Sequence, residues 1–338
     1  MTEADVQAHL DALAKPRGSL GRLEAIAVRL ALTQQRIDAR TRPRRIVLFA
    51  GDHGCVDDGV SAWPSAVTGM MVATILAERA TSNALARAHD CPLRLVDVGV
   101  AGPRVTAAPC FFRDARIGDG TASLAHGAAM DAARFDAAWQ VGADEADRAL
   151  DDGVALLIAG EMGIGNTTPA AALTALLTDT NVAEAVGRGA GADDAMLGVK
   201  ARIVAAAVTR AQPLLAQDPV AAIAAVGGYE IAAMAGLFAR GAARGATLLL
   251  DGYVATAAAL VAERLAPGTA RAMIAGHRSA EPGHGAALAQ LGLDPLLDWG
   301  MRLGEGSGAL VALPLLDAAA AILTDVVRLD AIGAERAD

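Results

Sequence analysis

The sequence predicts an α/β protein built on a doubly wound, mostly parallel sheet. Short apolar segments, each ended by a glycine or a charged turn, alternate with helical stretches along the middle of the chain. Such alternation is typical of parallel strands joined by crossover helices. Hydrophobic residues make up 54% of the 338 residues but aromatics only 3%, so small aliphatic side chains must fill the helix–sheet contacts.

The elements can be assigned in chain order. Residues 2–14 and 19–37 show helical periodicity, interrupted by Lys15-Pro-Arg-Gly-Ser19. Residues 219–227 are either a further strand or the end of a helix, and residues 99–126 form an ordered connection with some strand content. The strand candidates are Arg45–Ala50, Leu93–Val98, Val154–Ala159, Ala246–Leu250 and Ala272–Ala275.

The two ends of the chain predict a second, smaller unit. An alanine- and leucine-rich stretch from about Gly308 to Val327 indicates one long helix or a helix pair. We expect residues 1–40 and 306–338 to form a small helical domain. Residues 41–305 then form a large α/β domain of Rossmann-like topology that carries the ligand site.

Composition excludes several classes of partner. The net charge is −9 without a basic face, which argues against nucleic acid. Charges or glycines interrupt every apolar stretch before about 18 residues, so we expect no membrane span. The N-terminus lacks the features of a signal peptide, and the three cysteines show no CxxC spacing. These features predict a cytoplasmic protein with free thiols.

The most informative segment is Gly160-Glu-Met-Gly-Ile-Gly-Asn-Thr-Thr-Pro169, which follows an apolar strand and opens a helix. Glycines let backbone N–H groups approach an anion, and a helix N-terminus adds partial positive charge. The motif is neither GxGxxG nor GxxxxGK[ST], and Glu161 lies beside the expected phosphate cradle. A ligand with a phosphate and hydroxyl groups is indicated; a ligand-free glycine turn is the alternative.

Unusual polar residues cluster at the ends of the predicted strands, where open parallel sheets bind ligands. This coincidence indicates an enzyme or a binding protein. The residues are Asp52, His53, Glu161, Asn166, Asp251, His277 and Ser279.

Two further residues allow two interpretations each. Glu305 stands among three glycines and is either a general base or an acid that stabilises the following helix. Lys200, one of two lysines in the chain, follows the glycine-rich Gly187–Asp194 segment. It either contacts a phosphate or is a solvated surface cation.

The segment His277-Arg-Ser-Ala-Glu-Pro-Gly-His284 invites a metal interpretation together with Asp52 and His53. Its spacing does not match a zinc motif, and Pro282-Gly283 would break the helix that such a motif needs. A polar loop that presents Ser279 to a phosphate is favoured. Near the first strand, Trp63, Met70 and Met71 either line a slot for a planar ring or, for the methionines, belong to a helix core.

Eight motifs together resemble the nicotinate-nucleotide–dimethylbenzimidazole phosphoribosyltransferase family along almost the whole chain. No single motif identifies the family, but the occurrence of all eight in this order is highly specific for it. They are Lys15–Glu24, Gly51–Gly54, Gly160–Pro169, Gly187–Lys200, Gly227–Ile231, Leu250–Gly252, Gly276–His284 and Leu303–Gly308.

The resemblance implies transfer of the 5-phosphoribosyl group of nicotinate mononucleotide to 5,6-dimethylbenzimidazole. Inversion at the anomeric carbon gives α-ribazole 5′-phosphate and nicotinate, for the lower ligand of cobalamin. Glu305 would be the general base, no cofactor or metal is implied, and members are homodimers. The implied phosphate site is Gly163, Gly165, Asn166, Thr167, Gly189, Lys200 and Ser279; the ribose site is Glu161 and Asp251; the base site is Ser61, Met70, Met162 and Leu303.

Two departures from the family pattern concern the preferred base. Ala190 stands where threonine is frequent, and Met70 stands where glutamine is frequent. One alternative is therefore the same transfer to adenine or a phenolic acceptor. Two alternatives of other classes are a metal-dependent phosphohydrolase using Asp52, His53, His277 and His284, and a non-catalytic nucleotide-binding regulator. The segment Lys15–Glu24 belongs either to its own site or to that of a neighbouring subunit.

Overall fold

The computed structural model describes residues 1–333 and contains a six-stranded sheet in which all paired strands are parallel. The strands are β1 (Arg44–Gly51), β2 (Leu93–Gly99), β3 (Phe112–Asp114), β4 (Leu156–Met162), β5 (Thr247–Leu250) and β6 (Met273–Ala275). Their order, β3-β2-β1-β4-β5-β6, is that of the Rossmann sheet. The predicted α/β class with a doubly wound parallel sheet is confirmed.

The five strand candidates are all present, with ends shifted by up to three residues. Strand β4 continues through Gly160-Glu-Met162, so Glu161 lies on the strand and not in the turn after it. The short strand β3 accounts for strand content within residues 99–126. Residues 219–226 form a helix, which decides the ambiguity there.

Helices connect the strands on both faces of the sheet. Several begin at an aspartate whose carboxylate accepts a backbone N–H of the first turn: Asp131, Asp193 and Asp218. The helices are α1 (Glu3–Asp11), α2 (Arg22–Gln34), α3 (Ala66–Leu76), α4 (Thr81–Ala88), α5 (Ala132–Asp151), α6 (Thr167–Leu177), α7 (Val182–Ala185), α8 (Asp194–Ala211), α9 (Pro219–Val226), α10 (Tyr229–Ala243), α11 (Tyr253–Leu265), α12 (His284–Gln290) and α13 (Ser307–Asp325).

The sheet separates two hydrophobic cores because alternate side chains of a strand point to opposite faces. On β1, Val47 and Phe49 pack with α5, α6, α10 and α11, whereas Ile46 and Leu48 pack with α1, α2, α4 and α13. The strands are therefore apolar on both sides. This explains why they appear in the sequence as continuous apolar runs.

The terminal helices α1, α2 and α13 share their core with one face of the sheet. The division into a small domain of residues 1–40 and 306–338 and a large domain of residues 41–305 stays a prediction, and residues 334–338 lie outside the described part. Helix α13 is long and apolar enough to cross a membrane by length and composition alone, and 56% of its most apolar window is buried. Its packing against the sheet accounts for that hydropathy.

Helices α5 and α10 approach so closely that two glycines are required at their crossing. A Cβ atom on Gly236 would lie 2.0 Å from the backbone oxygen of Trp139, and one on Gly142 would lie 1.7 Å from that of Ala233. Neither neighbour is a flexible side chain, so the helices would have to separate. This contact fixes α10 against the face of the sheet that carries Val47 and Phe49.

We expect Gly236→Ala to destabilise the protein by about 1–3 kcal/mol, because overpacking outweighs the gain of about 1 kcal/mol that alanine normally brings to a helix. Urea unfolding measures this. Gly198→Ala in α8 is the matched control, because its Cβ would meet only Arg202 Nη1 at 3.7 Å. Equal unfolding midpoints for the two variants would contradict the close approach.

Candidate active site

One cleft opens at the carboxyl ends of β4, β5 and β6, and the loop after β1 lines its side. Its empty volume is about 880 Å³, which includes solvent space at the open mouth. The structure brings twelve of the fourteen predicted site residues to its wall. They are Ser61, Glu161, Met162, Gly163, Gly165, Asn166, Thr167, Gly189, Asp251, Ser279, Leu303 and Glu305.

Glu305 lies in a tight left-handed loop between β6 and α13. Gly304, Glu305 and Gly306 have φ angles of +85°, +56° and +72°. A positive φ is uncommon for a residue with a Cβ and is maintained only where the surroundings enforce it. Here a Cβ on Gly304 would lie 2.2 Å from Glu161 Oε1, so the loop is pressed against the end of β4.

The carboxylate of Glu305 is oriented by Ser82 at the beginning of α4. The hydroxyl of Ser82 donates to Glu305 Oε2 at 2.9 Å, and the Ser82 backbone N–H lies 3.4 Å from the same oxygen. Both residues are buried. The helix N-terminus also favours negative charge at this point. Oε2 is thereby engaged, and Oε1 is available to a ligand in the cleft.

Asp251, predicted to bind ribose, makes its observed contacts with the Glu305 loop. Its carboxylate accepts backbone N–H groups from Gly306 at 3.1 Å, Gly308 at 2.7 Å and Ala309 at 3.2 Å. Burial alone would raise the pKa of Asp251, but the neighbouring His277 and these N–H groups hold the pKa below its ordinary value. Asp251 therefore caps α13 and fixes the loop that carries Glu305.

Glu161 is a buried carboxyl group at the end of β4, and it accepts a hydrogen bond from the side-chain amide of Asn166. Burial, together with the charges of Asp251 and Glu230, raises its pKa to about 8 against the opposing effect of Asn166. At neutral pH this group is protonated. A protonated carboxyl can donate a hydrogen bond to a ligand, which a carboxylate cannot.

The turn after β4 brings backbone groups and the beginning of α6 to the cleft. Gly165 has a φ of +87°, and the Ile164 N–H donates to Thr68 Oγ1 of α3 at 3.1 Å. Asn166 and Thr167 line the cleft where α6 begins. This is the strand–glycine turn–helix geometry that favours an anion.

Lys200 lies one layer behind the wall of the cleft. It is only 1% exposed, and its Nζ donates to Thr167 Oγ1 at 2.7 Å and to the Gly187 carbonyl at 2.9 Å. Burial lowers its pKa to about 8, which the charge of Glu281 partly opposes. The alternative of a solvated surface lysine is wrong, because the ammonium group is buried beneath the turn.

The Gly187–Gly191 loop forms a further wall and is fixed through its backbone. Glu281 Oε1 accepts the Gly189 N–H at 2.9 Å, while the Gly189 carbonyl accepts from Arg302 at 3.0 Å. The Ala190 carbonyl accepts from the indole N–H of Trp63 at 3.1 Å. Three distant segments thus meet on one loop at the mouth of the cleft.

His284 fixes the loop that carries Ser279. His284 Nδ1 accepts the Ser279 N–H at 2.7 Å, and His284 Nε2 lies 2.8 Å from Thr256 Oγ1. Burial lowers the pKa of His284 to about 3, so the ring is neutral with its proton on Nε2. Within residues 1–333, no group of three His, Cys, Asp or Glu side chains is spaced to hold a metal ion.

Met70 does not line the cleft, whereas the other predicted base-site residues Ser61, Met162 and Leu303 do. Met70 is 64% exposed on α3, and Thr68 of that helix faces the cleft turn instead. Asp52 and His53 are also absent from the wall. They lie buried beneath it, where His53 Nε2 is 2.9 Å from Glu230 Oε1.

Sequence reasoning missed several residues of the site. Ser82 gives no local signal, because it is 223 positions from its partner Glu305. Arg188 and Arg302 line the cleft but occur in a chain with many arginines. The sequence pattern indicated Glu281 only as a metal ligand. The glycine spacing of Gly187–Gly191 was the one usable signal, since it marked the loop that these side chains hold.

Comparisons with known proteins agree along nearly the entire chain. A family profile described as phosphoribosyltransferase matches residues 1–333. The nicotinate-nucleotide–dimethylbenzimidazole phosphoribosyltransferase of Mycobacterium tuberculosis is 48% identical over 96% of this chain and 89% of its own length. The protein of the same name from Salinispora tropica is 45% identical over 98% and 94%.

A solved structure shows the same fold. The crystal structure of CobT from Thermus thermophilus superposes with a TM-score of 0.95 at 43% sequence identity, covering 99% of both chains. The identity and the coverage far exceed what a shared fold alone produces, and five of the eight motifs that suggested the family contribute residues to one cleft. The chain belongs to the phosphoribosyltransferase family whose curated members are named nicotinate-nucleotide–dimethylbenzimidazole phosphoribosyltransferases.

Proposed function

We propose that this protein transfers the 5-phosphoribosyl group of nicotinate mononucleotide to 5,6-dimethylbenzimidazole. Inversion at the anomeric carbon gives α-ribazole 5′-phosphate and nicotinate, the nucleotide step of cobalamin lower-ligand assembly. Family membership supports this reaction. The observation that carries the proposal is the position of Glu305, held by Ser82 on the wall of the cleft that also contains the glycine turn after β4.

The general base of the proposed reaction is Glu305. As one ring nitrogen of the benzimidazole attacks the anomeric carbon, the N–H of the other ring nitrogen loses its proton to Glu305 Oε1. The bond between that carbon and the nicotinate nitrogen breaks at the same time, and its electron pair stays on the nicotinate ring. The pyridinium becomes a neutral ring, so the leaving group requires no protonation.

The phosphate and ribose sites of the proposal use the remaining walls. Gly163, Gly165, Asn166, Thr167, Gly189 and Ser279 surround the phosphate, and Lys200 acts on it through the hydroxyl of Thr167. The neutral carboxyl of Glu161 donates to a ribose hydroxyl. Asp251 contributes by holding the Glu305 loop, and Ser61, Met162 and Leu303 flank the base.

The direct test is a product assay with nicotinate mononucleotide and 5,6-dimethylbenzimidazole, in which α-ribazole 5′-phosphate is identified by chromatography.

We expect Glu305→Gln to lower kcat by roughly 10²–10⁴-fold, because the amide cannot accept the proton. The KM for nicotinate mononucleotide should change little. Glu184→Gln on α7 is the control, since Glu184 is an exposed acid outside the cleft. Unchanged turnover in Glu305→Gln would remove this residue from its role.

The buried Glu161 predicts a pH-dependent stability difference. Its pKa is about 8 in the folded protein against 4.5 as the ordinary value, so the unfolded chain releases the proton first as pH rises. Glu161 therefore destabilises the fold progressively between pH 4.5 and 8. We expect Glu161→Gln to raise Tm by about 2–5 °C over the wild type at about pH 8 and by much less at about pH 5. A difference in Tm that does not vary with pH would contradict the neutral carboxyl.

We also propose a homodimer, as the family resemblance implies. Several large apolar side chains are exposed, among them Leu20, Trp63, Trp299 and the cleft residue Leu303. Lys15 pairs with Glu24 of its own chain at 2.9 Å, and neither lines its own cleft. Light scattering should give about twice the 34.1 kDa chain mass. A monomer at micromolar concentration would contradict this proposal.

The proposed location is the cytoplasm. Cys55, Cys91 and Cys110 are all free, and burial raises the pKa of Cys55 and of Cys91 to about 12. These two thiols are therefore inert core residues that a reducing compartment suits.

A further inference from the structure

The charges on the cleft wall leave one arginine without an acidic partner. Four acids line the cleft: Glu161, Asp251, Glu281 and Glu305. Two arginines face them. The guanidinium of Arg188 is engaged by Asp194 and by the Ala192 carbonyl. Arg302 has no carboxylate within 4.0 Å among residues 1–333.

Arg302 is held in place by a single contact. Its Nη1 donates to the Gly189 carbonyl at 3.0 Å, and this is its one hydrogen bond within the described chain. A guanidinium carries five N–H donors in a planar fork. Most of that fork makes no hydrogen bond within the described residues, and Arg302 is an exposed residue that lines the cleft. The residue stands three positions before Glu305 in the chain and lines the same cleft.

The proposed reaction, on which this inference rests, creates a demand for such a cation. Bound nicotinate mononucleotide has a positive pyridinium ring and a negative carboxylate, which nearly cancel. When the bond to the anomeric carbon breaks, the ring becomes neutral and nicotinate leaves with a net charge of −1. A fixed cation at the carboxylate therefore interacts more strongly after bond breaking than before it, which accelerates the step.

We propose that Arg302 binds the carboxylate of the nicotinate leaving group and makes the enzyme selective for nicotinate over nicotinamide nucleotides. The planar fork matches a carboxylate through two parallel hydrogen bonds, which a neutral carboxamide cannot form in the same way. The contact to Gly189 orients the guanidinium. It also joins leaving-group recognition to the loop at the phosphate site.

The test compares kcat/KM for nicotinate mononucleotide and nicotinamide mononucleotide, each with 5,6-dimethylbenzimidazole as acceptor. For Arg302→Gln we expect a loss of roughly 10- to 100-fold with the nicotinate substrate, the size of a lost charge-assisted hydrogen bond. The nicotinamide substrate should lose less than about threefold. Arg302→Lys, which keeps the charge but not the fork, should fall between Arg302→Gln and the wild type.

Arg188→Gln is the matched control, because it removes the other arginine of the same cleft. It should affect both substrates equally, since both carry the phosphate and differ only in the ring substituent. Equal losses in Arg302→Gln would show that Arg302 only holds the Gly189 loop, and unchanged kinetics would show no role at all. Either result overturns the proposal. Wild-type product formation from nicotinate mononucleotide supports the proposed function whichever result is found.

A binding measurement without turnover gives a second readout. Calorimetry with free nicotinate and free nicotinamide should show weaker binding of nicotinate in Arg302→Gln and no change for nicotinamide. A nicotinate affinity equal to that of the wild type would contradict carboxylate recognition even if the variant has lost activity for another reason.

Discussion

The capping of α13 by Asp251 is the interaction on which the site depends. One buried carboxylate at the end of β5 accepts three N–H groups of the loop and helix that follow Glu305. Without them, a buried charge would be left unsatisfied, at a cost of several kcal/mol. With them, the loop can hold Glu305 at a positive φ against the end of β4. This contact thus determines where Glu305 lies.

Three acidic residues, Asp251, Glu161 and Glu305, lie in this region, and each has different surroundings. Asp251 stays ionised because N–H groups and His277 surround it, whereas burial keeps Glu161 protonated at neutral pH. Glu305 rests on the hydroxyl of Ser82 at a helix N-terminus. Three carboxylates would repel one another here, so the protonation of Glu161 lowers the electrostatic cost of bringing the three acidic residues together.

The sequence predicted the sheet well because each strand is apolar on both faces and ends in a turn with glycine or charge. It also identified Glu305, whose glycine neighbours are a local signal. It could not identify Ser82, because that contact depends on how α4 meets the loop before α13. The family resemblance placed Met70 in the base site, yet α3 is apolar on several sides, so periodicity could not decide which side faces the cleft.

The proposed binding of a phosphate at the glycine turn requires more positive charge than the turn itself provides. Backbone N–H groups and one helix N-terminus carry partial charges, whereas a phosphate monoester carries close to two negative charges. In the proposed function Lys200 supplies this positive charge from behind the wall of the cleft, since its ammonium donates to Thr167 and does not reach the open cleft. Burial weakens its hold on the proton, and a bound phosphate opposes that loss. In the proposed complex, the buried lysine and the phosphate therefore stabilise each other across the hydroxyl group of Thr167.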